Sequence, residues 1–155
     1  MIRFCGQDEC TVDANGRIKL TARFLSDFRE FGPEVVLHCL PEGALGVYPV
    51  DIWQQMRGAE PRPAVRAAES VVFRRRLRRF GALTQAETVS NQGRITIPPS
   101  FRSVVRLEPG AEAVLVGSEI GMEVWAAESW EREMALLRQH EQRKAEAEMA
   151  ADLEE

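Results

Sequence analysis

Hydrophobic and polar positions alternate in two short stretches of the chain. Asn15-Gly16-Arg17-Ile18-Lys19-Leu20 returns as Gln92-Gly93-Arg94-Ile95-Thr96-Ile97, an offset of 77 residues. Alternation with a period of two predicts a strand with one buried face, and the glycine before each strand predicts a tight turn. We therefore expect two β-hairpins. Their buried faces carry Ile18, Leu20, Ile95 and Ile97, and their wet faces carry Arg17, Lys19, Arg94 and Thr96.

The turns of the two hairpins differ in how well they suit a positive φ. Asn15-Gly16 supplies two residues that tolerate positive φ, as a two-residue hairpin turn requires. Gln92-Gly93 offers a weaker version, in which the glycine provides most of the conformational freedom. We expect the arginine that follows each glycine to lie at the tip of its hairpin.

The repeat extends well beyond the hairpins. Each hairpin is followed by residues that favour the start of a short helix, by an apolar strand, by a second strand and by a helix that bears a tryptophan. Five matched features in one order predict two copies of one α+β module. The matched segments are Thr21 and Pro98-Pro99-Ser100 as helix starts, Phe24 and Phe101, Val35–Leu40 and Ala113–Val116, Leu45–Tyr48 and Met122–Trp125, and Trp53 and Trp130.

A connector and a tail complete the organisation of the chain. Pro61-Arg62-Pro63 interrupts the pattern, and residues 64–80 predict one connecting helix. The last helix is expected to start near Ser129 as its N-cap and to bury an apolar stripe from Trp130 to Leu137, beyond which it is solvated. We divide the chain into a first module at 1–60, a connecting helix at 61–81, a second module at 82–138 and an acidic helical tail at 139–155.

The net charge of this 155-residue chain is −4, but it is unevenly distributed. Residues 139–155 hold six acids and two bases, so the rest of the chain is neutral. All but two of the 20 basic residues are arginines, whose planar guanidinium suits phosphates and guanine edges. The charge is therefore compatible with a nucleic-acid partner, although a GC-rich genome or a preference for ion pairs would produce the same arginine bias.

The densest basic run lies in the connector. It comprises Arg74, Arg75, Arg76, Arg78 and Arg79, interrupted by one leucine. Such a run on a helix is typical of a solvated face or of an ion-pair seam with a neighbouring element. Direct contact with DNA is the alternative.

Catalytic and metal-binding chemistry is poorly represented. His38 and His140 are the only imidazoles, and the sequence has no nucleophile elbow, phosphate loop or metal-ligand spacing, so we expect no enzyme activity and no cofactor. Cys5, Cys10 and Cys39 are odd in number and lack a C-x-x-C spacing, which indicates free thiols. A zinc site that adds His38 to them is disfavoured, because His38 and Cys39 are neighbours on a strand and point to opposite faces.

The hydrophobic pattern also bears on location. No apolar run reaches the roughly 18–20 residues that a bilayer span requires. The first eight residues lack the apolar stretch of a signal peptide. We expect a cytoplasmic protein.

The two arginine-bearing tips are the remaining chemistry. A glycine lets the backbone come close to a phosphate, and the arginine after it, Arg17 or Arg94, is long enough to reach a base edge in a groove. Asp13 lies four residues before Arg17, where its carboxylate can bond the turn amides or steer the guanidinium. The alternative is that both arginines only close their turns.

The two tips resemble those of the MraZ family. Asp13-Ala14-Asn15-Gly16-Arg17 precedes an Ile-x-Leu strand, and Ser90-Asn91-Gln92-Gly93-Arg94 precedes Ile-x-Ile-Pro-Pro. The resemblance runs from Phe4 to about Leu137. It implies an α+β fold in which two AbrB-like hairpin modules form a pseudo-twofold, swapped-hairpin β-barrel with flanking helices and a C-terminal helix.

The resemblance also implies a function. Members of this family bind repeated promoter elements upstream of the division and cell-wall gene cluster that includes their own gene, and they assemble into homo-oligomeric rings. We therefore expect a nucleoid-associated transcriptional regulator that binds double-stranded DNA and has no membrane partner. The expected DNA-binding residues are Arg17 and Arg94 as base readers, Asp13, Asn15, Gly16 and Gly93 as shapers of the tips, and Lys19 and Thr96 near phosphates.

Two departures from the family pattern keep an alternative open. The pattern in each tip is D-x-x-x-R, which Asp13 and Arg17 match, whereas Ser90 replaces the acid in the second copy. Asn15 stands where the family often has lysine. The alternative is an oligomeric ring scaffold or protein-interaction module with weakened DNA binding. An antitoxin ranks third, because AbrB-like antitoxins usually carry one hairpin module and a disordered toxin-binding tail.

Overall fold

Eight strands and six helices follow one another in the computed structural model, which describes residues 2–58 and 62–154. The predicted boundary between residues 60 and 61 lies outside the described residues, as does Glu155 of the predicted tail. The elements are β1 (Gln7–Thr11), β2 (Arg17–Lys19), α1 (Ala22–Arg29), β3 (Glu34–Cys39), β4 (Leu45–Pro49), α2 (Val50–Arg57), α3 (Pro63–Glu69), α4 (Val71–Ala82), β5 (Thr84–Thr88), β6 (Arg94–Thr96), α5 (Pro99–Arg102), β7 (Glu112–Gly117), β8 (Met122–Ala126) and α6 (Ala127–Glu154).

The strands form two antiparallel sheets in which the two halves of the chain are interleaved. The larger sheet has the order β1-β7-β8-β4-β3-β5, and β2 pairs with β6 in the smaller one. In the repeat, β1, β3 and β4 correspond to β5, β7 and β8. When counterparts are exchanged, the order becomes β5-β3-β4-β8-β7-β1, which is the same order read backwards, so the sheet has approximate twofold symmetry. The α+β class, the antiparallel sheet and the C-terminal helix predicted from the sequence are confirmed.

The strand register carries the same symmetry down to single residues. In the β4–β8 pair, Gly46 lies opposite its own counterpart Glu123. In the β2–β6 pair, Ile18 lies opposite its own counterpart Ile95. One approximate twofold axis therefore passes through both pairs, and the 77-residue repeat in the sequence is a repeat in space.

The two faces of the larger sheet are covered by different elements. Leu37 and Val47 point to one face and belong to a core that includes Ile18 and Ile95 of the β2–β6 ribbon and Phe24 of α1. All five side chains are fully buried. The ribbon therefore lies over this face of the sheet, with the hydrophobic core between them.

Aromatic rings cover the opposite face of the larger sheet. His38 of β3 stacks on Phe80 of α4 with ring centroids 4.8 Å apart, and it also contacts Trp53 of α2 at 5.2 Å. Trp125 of β8 contacts Trp130 of α6 at 5.5 Å. Because side chains alternate along a strand, α2, α4 and α6 lie on the face that is turned away from the ribbon.

The connector is two helices, so the prediction of one helix over residues 64–80 is wrong. The backbone of Ser70 is extended, with φ −128° and ψ 119°. Its hydroxyl accepts a hydrogen bond from Phe73 N at 3.1 Å, which makes it the N-cap of α4. The break lets α4 turn back over the sheet, where Phe80 reaches His38.

The predicted start of α1 at Thr21 is confirmed, but the side-chain caps predicted for Thr21 and Ser129 are wrong. Thr21 precedes α1, but its hydroxyl bonds the Asp8 carboxylate at 2.6 Å instead of capping the helix. Ser129 lies inside α6, which begins at Ala127 directly after β8. At Thr21 a hydrogen bond to β1 replaces the side-chain cap. At Ser129 no cap is formed, because α6 continues directly from β8.

The last helix is longer and more exposed than its apolar pattern predicts. It runs unbroken to Glu154, and residues 136–154 are exposed along their whole length. Trp130 is half-buried, but Leu137 is 43% exposed, so the predicted burial of the stripe ends before Leu137. A helical segment of this length, at about 1.5 Å per residue, projects roughly 28 Å from the body.

The remaining sequence expectations concern metals and membranes. Cys5, Cys10 and Cys39 are free thiols. Across residues 2–58 and 62–154, no three His, Cys, Asp or Glu side chains are grouped so as to hold a metal ion. In the same part of the chain, no helix combines the length and apolarity needed to cross a bilayer.

His38 is the one buried polar side chain in the described core. The Thr84 hydroxyl donates its single proton to Phe80 O, so Thr84 Oγ1 accepts from His38 Nδ1 at 2.9 Å. The neutral imidazole therefore carries its proton on Nδ1. Burial lowers the pKa of His38 below its ordinary value, and the nearby Arg79 and Arg57 charges lower it further.

This lowered pKa predicts acid destabilisation. Below a pH of about 6.5 the unfolded chain protonates His38 while the folded chain resists, so stability falls as the pH falls. We expect the free energy of unfolding in urea to decrease between about pH 7.5 and about pH 5.5, and to decrease less in His38→Asn. Glu123, whose pKa is raised mainly by burial, acts in the opposite direction but is common to both proteins. Equal losses in the two proteins would contradict the assignment.

Candidate nucleic-acid interface

The first tip is a three-residue loop over Ala14–Gly16. Asp13 O accepts from Gly16 N at 3.0 Å, and Asp13 N donates to Arg17 O at 2.9 Å. Gly16 has a φ of +75°, whereas Asn15 is not among the residues with positive φ. The expectation of two positive-φ residues is therefore wrong. The loop is a turn closed by one left-handed glycine, which is the usual form of a three-residue hairpin loop.

The Asp13 carboxylate organises the first tip. Its Oδ1 accepts from the amides of Asn15 and Arg17, both at 2.9 Å, and its Oδ2 accepts from Arg17 Nε at 3.0 Å. The Arg17 amide, followed by the Asn15 amide and the Arg17 guanidinium, lowers the pKa of Asp13 below its usual value. The Arg17 side chain stays 36% exposed, so it is oriented by the carboxylate without being enclosed.

The second tip repeats this geometry with weaker chemistry. Gly93, with a φ of +79°, donates to Ser90 O at 2.8 Å, and Ser90 N donates to Arg94 O at 2.9 Å. Ser90 Oγ accepts from Arg94 N at 3.0 Å, so the serine keeps one of the bonds to turn amides that Asp13 makes in the first tip. The guanidinium of Arg94 is bonded by Gln92 Oε1 in place of a carboxylate.

The β2–β6 ribbon brings the two tips, which the sequence predicts as separate features, onto one surface. Arg17 lies opposite Thr96, and Lys19 lies opposite Arg94. Because Ile18 and Ile95 face the core, these four side chains share the outward face. Arg17 and Arg94 are diagonal neighbours across the β2–β6 pair, a position at which Cα atoms lie about 7–8 Å apart. The predicted base readers and phosphate contacts therefore form one surface, with Asn15, Gly16 and Gly93 at its two ends.

Two arginines at the tips were missed by sequence reasoning. Arg102 of α5 reaches across to the first tip, where its Nε donates to Ile97 O at 3.0 Å and its Nη2 to Asn15 O at 3.4 Å. Arg29 of α1 reaches the second tip, where its Nη2 donates to Asn91 O at 3.4 Å. The 77-residue offset relates Arg102 to Leu25, so the repeat carries no signal for this residue.

The surface is basic although the chain as a whole is acidic. Arg17, Lys19, Arg29, Arg94 and Arg102 lie on the ribbon or at its tips. Among the described residues, the only carboxylate in ion-pair contact with them is that of Asp13. The arrangement can hold a polyanion against the ribbon and direct guanidinium groups at hydrogen-bond acceptors.

The arginine run of α4 is not part of this surface. Arg79 donates twice to Cys39 O, both at 3.2 Å, and Arg74 donates to Ala67 O at 2.8 Å. In the part of the chain that the structure describes, the ion pairs are elsewhere, and Arg74, Arg75, Arg76 and Arg78 are exposed. Of the two forms expected for this run, the structure has the solvated face and not the ion-pair seam. Since α4 and the ribbon lie on opposite faces of the sheet, one duplex on the ribbon cannot also contact α4.

Gly16 and Gly110 form a matched pair for testing how the first tip is held. Both have positive φ, +75° and +89°, so alanine at either costs about 1–2 kcal/mol in backbone strain. A Cβ on Gly16 also collides with the Arg102 guanidinium, whereas one on Gly110 meets nothing within 4 Å. Since the guanidinium must move and give up its bonds to the tip, we expect Gly16→Ala to lose about 0.5–1.5 kcal/mol more unfolding free energy than Gly110→Ala in urea. Equal losses would mean that Arg102 does not brace the tip.

Comparison with known proteins identifies the family. The sequence model of the family described as "MraZ protein, putative antitoxin-like" matches residues 83–153. "Transcriptional regulator MraZ" of Desulforapulum autotrophicum is 35% identical over 144 residues, which cover 92% of this chain and 93% of that protein. The proteins of the same name from Thermomicrobium roseum and Thermus thermophilus are 33% and 31% identical, over 86% and 81% of this chain and 89% and 83% of their own lengths. The chain therefore belongs to the MraZ family of transcriptional regulators.

Proposed function

We propose that this protein regulates transcription by binding double-stranded DNA sequence-specifically through the outward face of the β2–β6 ribbon. The observation that carries the proposal is the convergence of both arginine-bearing tips on one ribbon. The major groove, about 12 Å wide, admits a two-stranded ribbon of this kind. Arg17 and Arg94, diagonal at about 7–8 Å, then stand about two base-pair steps apart.

Each residue of the ribbon face has a role in this proposal. Arg17 and Arg94 each bond a guanine edge in bidentate fashion. Lys19 and Thr96, at alternate ends of the ribbon face, bond phosphates. Gly16 and Gly93 shape the tips through their positive φ, and the space beside them is filled by the side chains of Arg102 and Leu25.

We propose that the two tips contribute unequally to specificity, and the hydrogen bonds around them support this. Asp13 fixes the guanidinium of Arg17 with an ionic hydrogen bond, which is stronger than the neutral partner that Gln92 offers Arg94. Less side-chain freedom is therefore lost when Arg17 binds a base. Asn15 leaves the first tip without a phosphate-binding lysine, and Arg102 supplies a cation beside it.

Oligomerisation would supply the affinity that one ribbon lacks. Each bidentate arginine contact contributes about 1–3 kcal/mol of discrimination, whereas specific sites are typically favoured by about 4–10 kcal/mol. We propose a homo-oligomeric ring whose subunits contact repeated promoter elements upstream of the protein's own gene. Linked ribbons on linked repeats gain about 10²–10⁴ in avidity without new contacts.

The pairing of strands across the two halves also supports a proposal about the fold. We propose that residues 1–60 and 82–138 are AbrB-like modules, joined by 61–81 and followed by the tail 139–155, and that their exchanged hairpins form a swapped-hairpin barrel. Supporting it, β1 pairs with β7 and β5 pairs with β3, each across the two halves. A regulator of this kind would act in the cytoplasm, associated with the nucleoid.

A ring scaffold with weakened DNA contacts is the second candidate function. It is favoured by Ser90, which removes one carboxylate from the pattern, and by the exposed acidic end of α6, which repels DNA. The two candidates differ in the DNA upstream of the gene. Short direct repeats containing guanine favour the regulator, and their absence favours the scaffold.

Replacement of both base readers tests the proposed function. We expect Arg17→Ala/Arg94→Ala to lower the preference for the upstream duplex over a scrambled duplex by about 30-fold or more, which corresponds to the loss of two bidentate contacts. Fluorescence anisotropy titrations on both duplexes measure this ratio. Arg138→Ala, which removes an exposed arginine on α6, is the matched control and should leave the ratio unchanged. Undiminished preference in the double variant would reject the two roles.

Lys19 is expected to affect affinity without affecting specificity. Its ammonium is exposed on the ribbon face, and a phosphate contact there releases a counterion on binding. In Lys19→Ala the slope of log K against log salt should become shallower by about 0.9, equally for the upstream and scrambled duplexes. A change confined to the upstream duplex would instead make Lys19 a base reader.

A further inference from the structure

The outward face of α4 is basic and apolar at once. Val71 and Val72 are 54% and 68% exposed, and Arg75 and Arg78 extend the same helical face into solvent. Within residues 2–58 and 62–154, neither guanidinium has a hydrogen-bond or ion-pair partner. Two exposed valines beside two unpaired arginines are typical of a surface that another molecule covers.

The approximate twofold axis shows that a helix is missing on the opposite edge of the sheet. On the β3–β5 edge, the chain turns back after α2, and α4 covers the sheet with Phe80. On the symmetry-related β1–β7 edge, α6 replaces α2 and continues outward to Glu154 instead of turning back. No described element of the chain occupies the position equivalent to that of α4.

This uncovered edge is a groove with an acidic lining. Two adjoining hollows of about 280 and 520 Å³ share Glu9, Val114 and Ala127. Glu112 lines the first hollow and Glu131 of α6 the second. Glu9, Glu112 and Glu131 are exposed, and none has a cationic partner among the described residues.

We propose that the outward face of α4 in one copy of the protein docks into the groove formed by β1, β7 and the start of α6 in the next copy. Arg75 and Arg78 then meet Glu9 and Glu131, and the two valines cover the sheet face around Val114. The inference deepens the proposed ring by naming its contact surfaces, and it rests on that oligomer but not on the DNA-reading tips.

The placement of the two surfaces decides the kind of assembly. The groove and α4 lie at opposite edges of the same sheet and differ from each other, so the contact is head-to-tail. Head-to-tail contacts form a ring where the rotation closes. Both surfaces lie away from the outward face of the ribbon, which leaves every ribbon in the ring accessible.

DNA is the competing partner for α4, and the structure argues against it. A duplex held by the ribbon lies on the other face of the sheet from α4. Exposed valines contribute nothing to phosphate contacts, whereas they suit a half-buried sheet face such as that around Val114. Unpaired glutamates on the facing groove supply the complementary charge.

Charge reversal and its complement test the interface. Arg75→Glu/Arg78→Glu and Glu9→Arg/Glu131→Arg should each convert the oligomer to monomers, because like charges then face each other. An equimolar mixture of the two variants should reassemble, since each restores the charge pair missing in the other. Arg143→Glu/Lys144→Glu makes the same change in charge on the exposed end of α6 and should keep the wild-type mass. Size-exclusion chromatography with light scattering measures the wild type, the three variants and the mixture at low and high salt.

Each contrary result has one meaning. A monomeric wild-type protein at micromolar concentration would overturn both the ring and this interface. An oligomeric wild type whose mass is unchanged in both reversal variants would overturn the interface and leave the ring. Lost binding to a duplex in Arg75→Glu/Arg78→Glu, at unchanged mass, would assign α4 to DNA instead.

Discussion

The pairing of β2 with β6 is the contact on which the rest of the molecule depends. Ile18 and Ile95 lie opposite each other on the approximate twofold axis and are fully buried. Burial of each side chain contributes about 1.5–3 kcal/mol and holds the hairpin of one half against the hairpin of the other. Because side chains alternate along a strand, the same burial turns Arg17 and Arg94 outward. The core and the candidate surface are thus two sides of one ribbon.

The local parts of this arrangement could be predicted from the sequence, and the long-range parts could not. Period-two alternation around Ile18 and Ile95 is a local signal, so β2, β6 and their buried faces were predictable, whereas the strands that flank each turn pair with the other half instead of forming the two expected hairpins. The pairing of β2 with β6 joins residues about 77 positions apart, and neither strand carries a local signal that identifies the strand with which it pairs. Arg29 and Arg102 were missed for the same reason, since each reaches a tip in the opposite half.

The helix predictions that were wrong have a common physical origin. Ser70 looks unremarkable inside an arginine- and alanine-rich helix, but packing of Phe80 on His38 requires a bend, and Ser70 caps the helix that results. Thr21 has the chemistry of a cap, but Asp8 lies closer to its hydroxyl. Tertiary contacts overrode local preference in both places, as intrinsic propensities of less than about 1 kcal/mol allow.

The fusion of both halves into one chain has a consequence for orientation. A dimer of identical chains places every substitution on both sides of its axis, so it can only present equal ends to a duplex. Here Asp13 and Ser90 occupy equivalent positions and differ, and the braces Arg102 and Arg29 differ in their bonds as well. The two ends of the ribbon are therefore chemically different, so the molecule has a direction along the DNA of the proposed complex. In the proposed ring, all copies can point the same way along that DNA.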